Sequence, residues 1–376
     1  VKIAPKIPLG EQHMPTNRLV SIDIARGMSV IIMVCVHTLW MYADKDTQSS
    51  SLLGDIIHFL GKGTASFLVA MGISLMLSRR QSSRDLLFRG LTILAIGYSM
   101  NFLKFVLPIM LGVMPESFVA AYEWQTPLNL SQYQYLILTG DILQMAGFSL
   151  IILSAITQFV KNEWGYLTVA LAIAVSAKPL SGWTPGIDGL DYLAKVLWGN
   201  TYQIYFPLFP WLSCILVGMF IGKRFVHSQS SVALHSDCLK MGISLTLLGG
   251  GLMAWNFDYH FGNFFHTGFG GIAYLIGVNL IALWCLNKLL KSVIFERLHG
   301  LFSYCSQHVT SLYVTQWVLI CWGMAIVGYQ TINSLQTIML MPLTISLTLL
   351  CHYGYVTART NLSLNKHELK RAPQVE

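Results

Sequence analysis

Ten apolar stretches divide the chain, at about 19–43, 54–78, 86–111, 134–160, 164–178, 203–222, 238–256, 268–290, 302–328 and 334–357. Most reach the roughly 17–25 residues that a helix needs to cross a hydrocarbon core. The connectors are short, and no internal repeat divides the chain. The pattern predicts an all-α integral membrane protein, a bundle of about ten transmembrane helices over 19–358, with short flanks at 1–18 and 359–376.

Composition supports that class. Of 376 residues, 54% are hydrophobic and 11% charged, whereas soluble domains carry about 25% charged residues. Val1–Arg18 contains Pro5, Pro8 and Pro15 and no apolar core, so it does not read as a signal peptide and the first helix is expected to be retained. The seven cysteines lie mostly in apolar segments without C-x-x-C spacing, which speaks against a disulfide framework and against a zinc site. No metal site is expected.

Charge sets the orientation, because cytoplasmic segments retain lysine and arginine. With the N-terminus inside, eighteen of the 24 basic residues fall on inner segments: Lys2, Lys6, Arg18, Arg79, Arg80, Arg84, Arg89, Lys161, Lys223, Arg224, Lys240, Lys288, Lys291, Arg297, Arg359, Lys366, Lys370 and Arg371. Only Lys45, Lys178 and Lys195 fall outside, while Arg26, Lys62 and Lys104 stay within spans. Both termini are therefore expected to be cytoplasmic, in a multi-pass protein of a bacterial inner (plasma) membrane. The net charge of +7 is then a consequence of topology and of contact with the lipid bilayer. There is no aromatic-interleaved basic patch, so no nucleic acid partner is expected; a homodimer is compatible with the pattern. Asn129-Leu130-Ser131 forms a glycosylation triplet of a kind common by chance.

Ionisable groups inside spans are costly unless they face protein or water, which makes them site candidates. Arg26 and His37 are eleven residues apart in the first span, about three turns plus 20°, and so share a face roughly 16 Å in length. Asp23 lies one turn before Arg26 and can pair with it; an interfacial ion pair that only anchors the helix is the less favoured explanation of those two. The second span brings His58 and Lys62 to one face, and the fourth places Asp141 and Gln144 at about the depth of His37. Phe206, Pro207, Pro210 and Trp211 open the sixth span, where two prolines interrupt backbone bonding, as is tolerated beside a cavity. The ninth, with Ser306, Gln307, His308, Thr310, Ser311, Thr315 and Gln316, is too polar to face lipid and is expected inside the bundle. His37 with Asp141 has the composition of a general-base pair. Asp23 and Asp141 as a proton relay is the competing use of the same residues.

The run Arg18-Leu19-Val20-Ser21-Ile22-Asp23-Ile24-Ala25-Arg26-Gly27, followed by His37, resembles the first helix of the transmembrane acyltransferase superfamily. That group includes the acyltransferase-3 and the heparan-α-glucosaminide N-acetyltransferase-like families. Phe206–Trp211 with Val217-Gly218-Met219-Phe220-Ile221-Gly222, and Ile142-Leu143-Gln144-Met145-Ala146-Gly147, are similar to the second of these. The resemblance implies an enzyme that takes an acyl group, usually acetyl from acetyl-CoA, at the cytoplasmic side and delivers it to a hydroxyl or amine of a glycan outside. His37 matches the histidine essential in the acyltransferase-3 branch, as general base or acyl carrier. In the heparan-type branch the catalytic histidine lies in an outer loop, where His260 and His266 are the nearest candidates. Many relatives carry a histidine late in the ninth helix, where this chain has Gln316.

On that reading Asp23, Arg26, Arg79, Arg80, Lys223 and Arg224 are candidates for the acyl-CoA rim or for structural roles, since cations pair strongly with phosphate. His58, Lys62, Gln144, Phe206, Pro207, Pro210, Trp211 and Gln316 are candidates for the acceptor side or for oxyanion stabilisation. The alternative is an ion- or proton-coupled transporter, for which the paired repeats usual in carriers are not evident.

Overall fold

The computed structural model describes residues 19–290 and 292–371, with the side chains of Ile294 and 362–371 outside the description. The flank 1–18, with Lys2, Lys6 and Arg18, and Lys291 lie outside the described residues, as do the side chains of Lys366, Lys370 and Arg371. Everything regular among the described residues is helical. Two isolated bridges, Ala43 with Ile332 and Gly140 with Ile204, tie connectors together.

The principal helices are α1 (Val20–Tyr42), α2 (Leu52–Gly61), α3 (Thr64–Leu77), α4 (Ser83–Asn101), α5 (Ile142–Phe159), α6 (Glu163–Leu180), α7 (Leu208–Ser228), α8 (Ser231–Trp255), α9 (Phe269–Leu289), α10 (Val293–Gln307), α11 (Val309–Val327) and α12 (Ser334–Arg371). Among the described residues nine helical segments are long and apolar enough to cross a membrane, with α2 and α3 counted as one. The remaining predicted span, the fifth, exists as α6, which carries Glu163 and Lys178 near its ends and is not among those nine. It still runs the length of the bundle. Its Glu163 end meets His227 at the end of α7, and Lys178 at its other end packs beside Gly268, just ahead of α9.

Four predicted helices are interrupted. The second breaks at Lys62-Gly63, between two glycine-flanked ends. The third passes through a π-helical turn, Phe102–Val106, before a final turn Leu107–Met110. The fourth divides into Leu130–Ile137 and α5, because Gly140 leaves the helix to exchange backbone bonds with Gln203 and Tyr205. The ninth divides at His308 into α10 and α11.

The most buried span is α7: Gly72 and Gly218 let α3 and α7 touch backbone to backbone, a Cβ on Gly72 falling 2.0 Å from the Ile215 carbonyl oxygen. Of the polar residues that suggested a ninth helix inside the bundle, Ser306 to Ser311 gather at the α10–α11 corner and Gln316 lies on the buried stripe of α11, while Thr315 is half-buried beside it.

Contacts sort the connectors into two ends. At one, Ser83 bonds the Ser154 carbonyl, Lys223 the Lys161 carbonyl, and Arg224 pairs with Asp237; Arg79, Arg80, Arg84 and Arg89 belong to this end. At the other, the α1–α2, Gly112–Asn129, Ser181–Pro207 and Asn256–Gly268 segments carry Asp44, Asp46, Glu116, Glu123, Asp188, Asp191 and Asp258, against Lys45, Lys195 and the Lys178 that closes α6.

Candidate active site

The polar stripe of α1 divides into two parts. At the basic end Arg26 Nη2 donates to the Ser306 carbonyl at 3.2 Å, and Ser306 Oγ donates to Asp23 Oδ1 at 3.2 Å. Gly27 makes this clasp reachable, since a Cβ there would lie 2.1 Å from the Phe302 carbonyl oxygen. Asp23 and Arg26 thus hold α10 against α1. One turn beyond Arg26, Ser29 is the first residue of α1 to line a cavity.

That cavity, of about 290 Å³, follows α1 from Ser29 to Trp40. His37 lines it, buried to 6% exposure. The imidazole stacks on Trp317 at 3.9 Å between ring centroids and meets the Tyr313 ring edge-on at 5.7 Å. Its Nδ1 is buried without a hydrogen-bond partner. Buried polar atoms are usually bonded, so this nitrogen is available to a group that enters the cavity; His260 Nε2 and His266 Nδ1 are likewise buried without a partner. The α2–α3 break lines the same cavity, with His58, Gly61, Lys62, Gly63 and Thr64. Trp40 Nε1 donates to His58 Nε2 at 3.2 Å, which makes that nitrogen an acceptor and places the proton of a neutral ring on Nδ1. The Lys62 ammonium lies 5.7 Å from the centroid of Phe261.

Asp141 also lines this cavity. It is the N-cap of α5: its Oδ1 accepts from the Ile142 backbone N–H, and Gln144 Oε1 returns a bond to the Asp141 N–H, closing a capping box. Its Oδ2 accepts from Tyr313 Oη at 2.7 Å and lies 3.6 Å from Lys104 Nζ. The carboxylate therefore reaches His37 through Tyr313, whose hydroxyl it holds and whose ring abuts the imidazole. The π-helical turn is what brings Lys104 inward. The side chain is 2% exposed and its ammonium lies 4.0 Å from the centroid of Trp317, so one indole is packed by both Lys104 and His37.

A second cavity of about 420 Å³ lies on the acidic end, and it shares Trp40, Asp141, Phe206 and Phe265 with the first. Lys104 and Trp317 line this second cavity. The two cavities thus adjoin at these four side chains, and His37 lines the first of them.

The remaining sequence candidates fall in different places. Phe206 lines both cavities. Trp211 is fully buried and supports the site from behind, its Nε1 donating to the Phe265 carbonyl at 2.7 Å; Pro207 and Pro210 shape the start of α7. Gln316 is completely buried with both amide atoms unpartnered. His260 accepts the Gly270 N–H at Nδ1, and His266 Nε2 bonds the Ile204 carbonyl, so each pins a connector, and neither is among the residues that line the two cavities. Arg79 and Arg80 are exposed in the α3–α4 connector. Arg224 pairs with Asp237 at 2.8 Å, while Lys223 lines a separate cavity of about 260 Å³ with Lys161 and His227. The rim candidates thus share one end of the bundle without converging on His37.

Sequence reasoning passed over Lys104, Tyr313 and Trp317 as site residues. Lys104 carried a signal, being one of three basic residues within spans. The two aromatics carried none, since an aromatic at helical spacing in an apolar span reads as packing. Among the described residues no group of three or more His, Cys, Asp or Glu is placed to hold a metal ion.

Residues 18–253 match the profile of the family described as heparan-alpha-glucosaminide N-acetyltransferase, catalytic. No curated protein matches the chain at a significant level. The family match covers α1 to α7 and most of α8, and with them His37, the α2–α3 break, Lys104 and Asp141.

Proposed function

The chain belongs to the heparan-alpha-glucosaminide N-acetyltransferase catalytic family of membrane acetyltransferases, and we propose that it transfers acetyl from acetyl-CoA to a hydroxyl or amine across the His37 layer. The observation that supports this reading is the buried His37 with an unpartnered Nδ1, on the wall of a cavity that shares four residues with the second cavity at the acidic end.

In this scheme the donor comes from the basic, cytoplasmic end and extends its thioester along α1, past Ser29, toward His37. The nucleotide stays near the basic residues, of which Lys161, Lys223 and His227 border a cavity. The acceptor enters from the acidic, outer end. His37 takes the proton from the attacking O–H or N–H as the new bond to the carbonyl carbon forms. The C–S bond then breaks, and the CoA thiolate takes the proton from the imidazolium. Charge developing on the carbonyl oxygen faces the N-terminus of α3, whose N-cap Gly63 has no side-chain bond, and Lys62 beside it; both favour negative charge. Asp141 acts by position, fixing Tyr313 against the imidazole. Gln144 and Trp211 hold that framework in turn.

The test is acetyl transfer by the purified protein in nanodiscs, with labelled acetyl-CoA and a panel of sugar acceptors, wild type against His37→Ala. Transfer at the full rate without His37 would remove it from the chemistry. Label retained on the protein in the absence of acceptor, and lost in His37→Ala, would identify an acyl-histidine stage in place of direct transfer. A protein that neither binds CoA nor transfers acetyl would return the intramembrane charges to the carrier reading.

A further inference from the structure

The second cavity is built unlike the first. Trp40, Tyr122, Tyr135, Tyr202, Tyr205 and Tyr329 form its walls. They are braced by one another, Tyr122 edge-on to Tyr135 at 6.2 Å and Tyr205 edge-on to Phe265 at 5.2 Å. A box of interlocked rings costs little ordering when a ligand enters, because its shape exists beforehand. Gln48, Thr139 and Gln330 supply amide and hydroxyl groups among the rings. Broad apolar faces with a few directional polar groups suit a ligand whose own surface alternates C–H faces with hydroxyls, and the volume of about 420 Å³ lies in the range of small-molecule sites.

Charge narrows the ligand further. The lining holds one cation, Lys104, and one carboxylate, Asp141, 3.6 Å apart and already neutralising each other. The connectors at this end of the bundle carry seven carboxylates, against three lysines there and at the end of α6. Burial holds the phenols of Tyr122, Tyr205 and Tyr329 above their usual range, so the walls stay uncharged at neutral pH. A sulfated or carboxylated sugar would approach through a field of its own sign and would be desolvated without a free cation to meet it.

We infer that this aromatic cavity is the acceptor site, and that it selects the end of an uncharged glycan over sulfated or carboxylated ones. The inference rests on the acetyltransferase reading for the word acceptor, but the binding preference stands apart from it.

The experiment measures binding and transfer separately, in nanodiscs because maltoside detergents are themselves sugars. The probes are an N-acetylglucosamine disaccharide, its 6-O-sulfated form, and a disaccharide ending in glucuronate. Binding is read by tryptophan fluorescence and equilibrium dialysis, and transfer with labelled acetyl-CoA. The expected result is at least tenfold tighter binding of the uncharged disaccharide, weakened at least tenfold by Tyr205→Ala and by Tyr329→Ala in protein of unchanged melting temperature. Equal or tighter binding of either charged form would overturn the inference, as would no sugar binding at all. Uncharged-sugar binding with no acetyl transfer either to these probes or to the same disaccharide with a free terminal glucosamine amine overturns the acetyltransferase reading and the acceptor role, while it supports the charge preference.

Discussion

Lys104 Nζ lies 3.6 Å from Asp141 Oδ2, with both side chains buried inside the bundle. Each offsets a charge that the other could not carry alone in that place, so removing one is worse than removing both. Lys104→Met is expected to cost about 3–5 kcal/mol, the usual penalty for stranding a buried charge. Lys104→Met with Asp141→Asn should recover most of that stability. Melting temperature in nanodiscs checks the order: a double variant no more stable than the lysine variant would mean that the pair is not coupled.

His37 touches the reacting atoms in the proposed scheme and holds no hydrogen bond at Nδ1. His37→Ala should therefore lower acetyl transfer by about 10²–10⁴-fold, the range for removal of a general base, while folding changes little. Paired rate and melting measurements separate the two; a large fall in melting temperature with proportional loss of activity would assign the ring a packing role.

Gln316 buries an amide with neither end bonded, a cost of about 1–3 kcal/mol for each polar group left unsatisfied. Gln316→Leu should raise the melting temperature. If the amide serves the reaction, the same variant will also lower kcat. A stabilised protein with unchanged kcat would show that the amide is only tolerated.

The α1–α10 contact depends on Gly27. A methyl group there meets the Phe302 carbonyl at 2.1 Å, which helix displacement alone can relieve, so Gly27→Ala should cost about 1–3 kcal/mol as overpacking. Because the Asp23–Ser306–Arg26 clasp moves with it, Ser306→Ala should add little more in the Gly27→Ala background than in wild type.

His266 sits in a connector where burial, with Lys178 adding to it, holds its pKa below 6.5 despite the opposing Ile204 carbonyl. Below pH 6.5 the unfolded chain binds a proton there that the native chain refuses, so stability contributed by the neutral ring is present at pH 7 and is lost as the pH falls. Melting temperature should be flat above pH 7 and decline toward pH 5, with a shallower decline in His266→Gln. Equal slopes would place the acid sensitivity elsewhere.

The class of fold was legible because lipid imposes one rule on every span, and nine of the ten apolar stretches obey it. The end-to-end asymmetry of charge was legible as well, and it grouped residues that the helices do bring together. The interruptions were not. Lys62-Gly63 and Gly140-Asp141 sit in apolar runs where periodicity continues through the break, and only distant partners reveal it: Gln203 and Tyr205 for Gly140, Asn279 for the Lys62 carbonyl. The pairing of Asp141 was hidden for the same reason. Sequence placed it at the depth of His37, but its partners Lys104 and Tyr313 come from helices 37 residues before it and 172 after it, and a π-helical turn orients one of them.

In the proposed scheme Trp40, Asp141, Phe206 and Phe265 form a layer that separates donor from acceptor, and that layer would have an electrical consequence. If most of the resistance to ions lies in that layer, most of the membrane potential falls across it, worth about 2.3 kcal/mol for each elementary charge moved through 100 mV. An acetyl group is neutral. Passed from a donor on one side to an acceptor on the other, it traverses that field without electrical work, while the polyanionic carrier never enters it. On this view the enzyme imports chemistry across an energised membrane without drawing on the gradient or short-circuiting it.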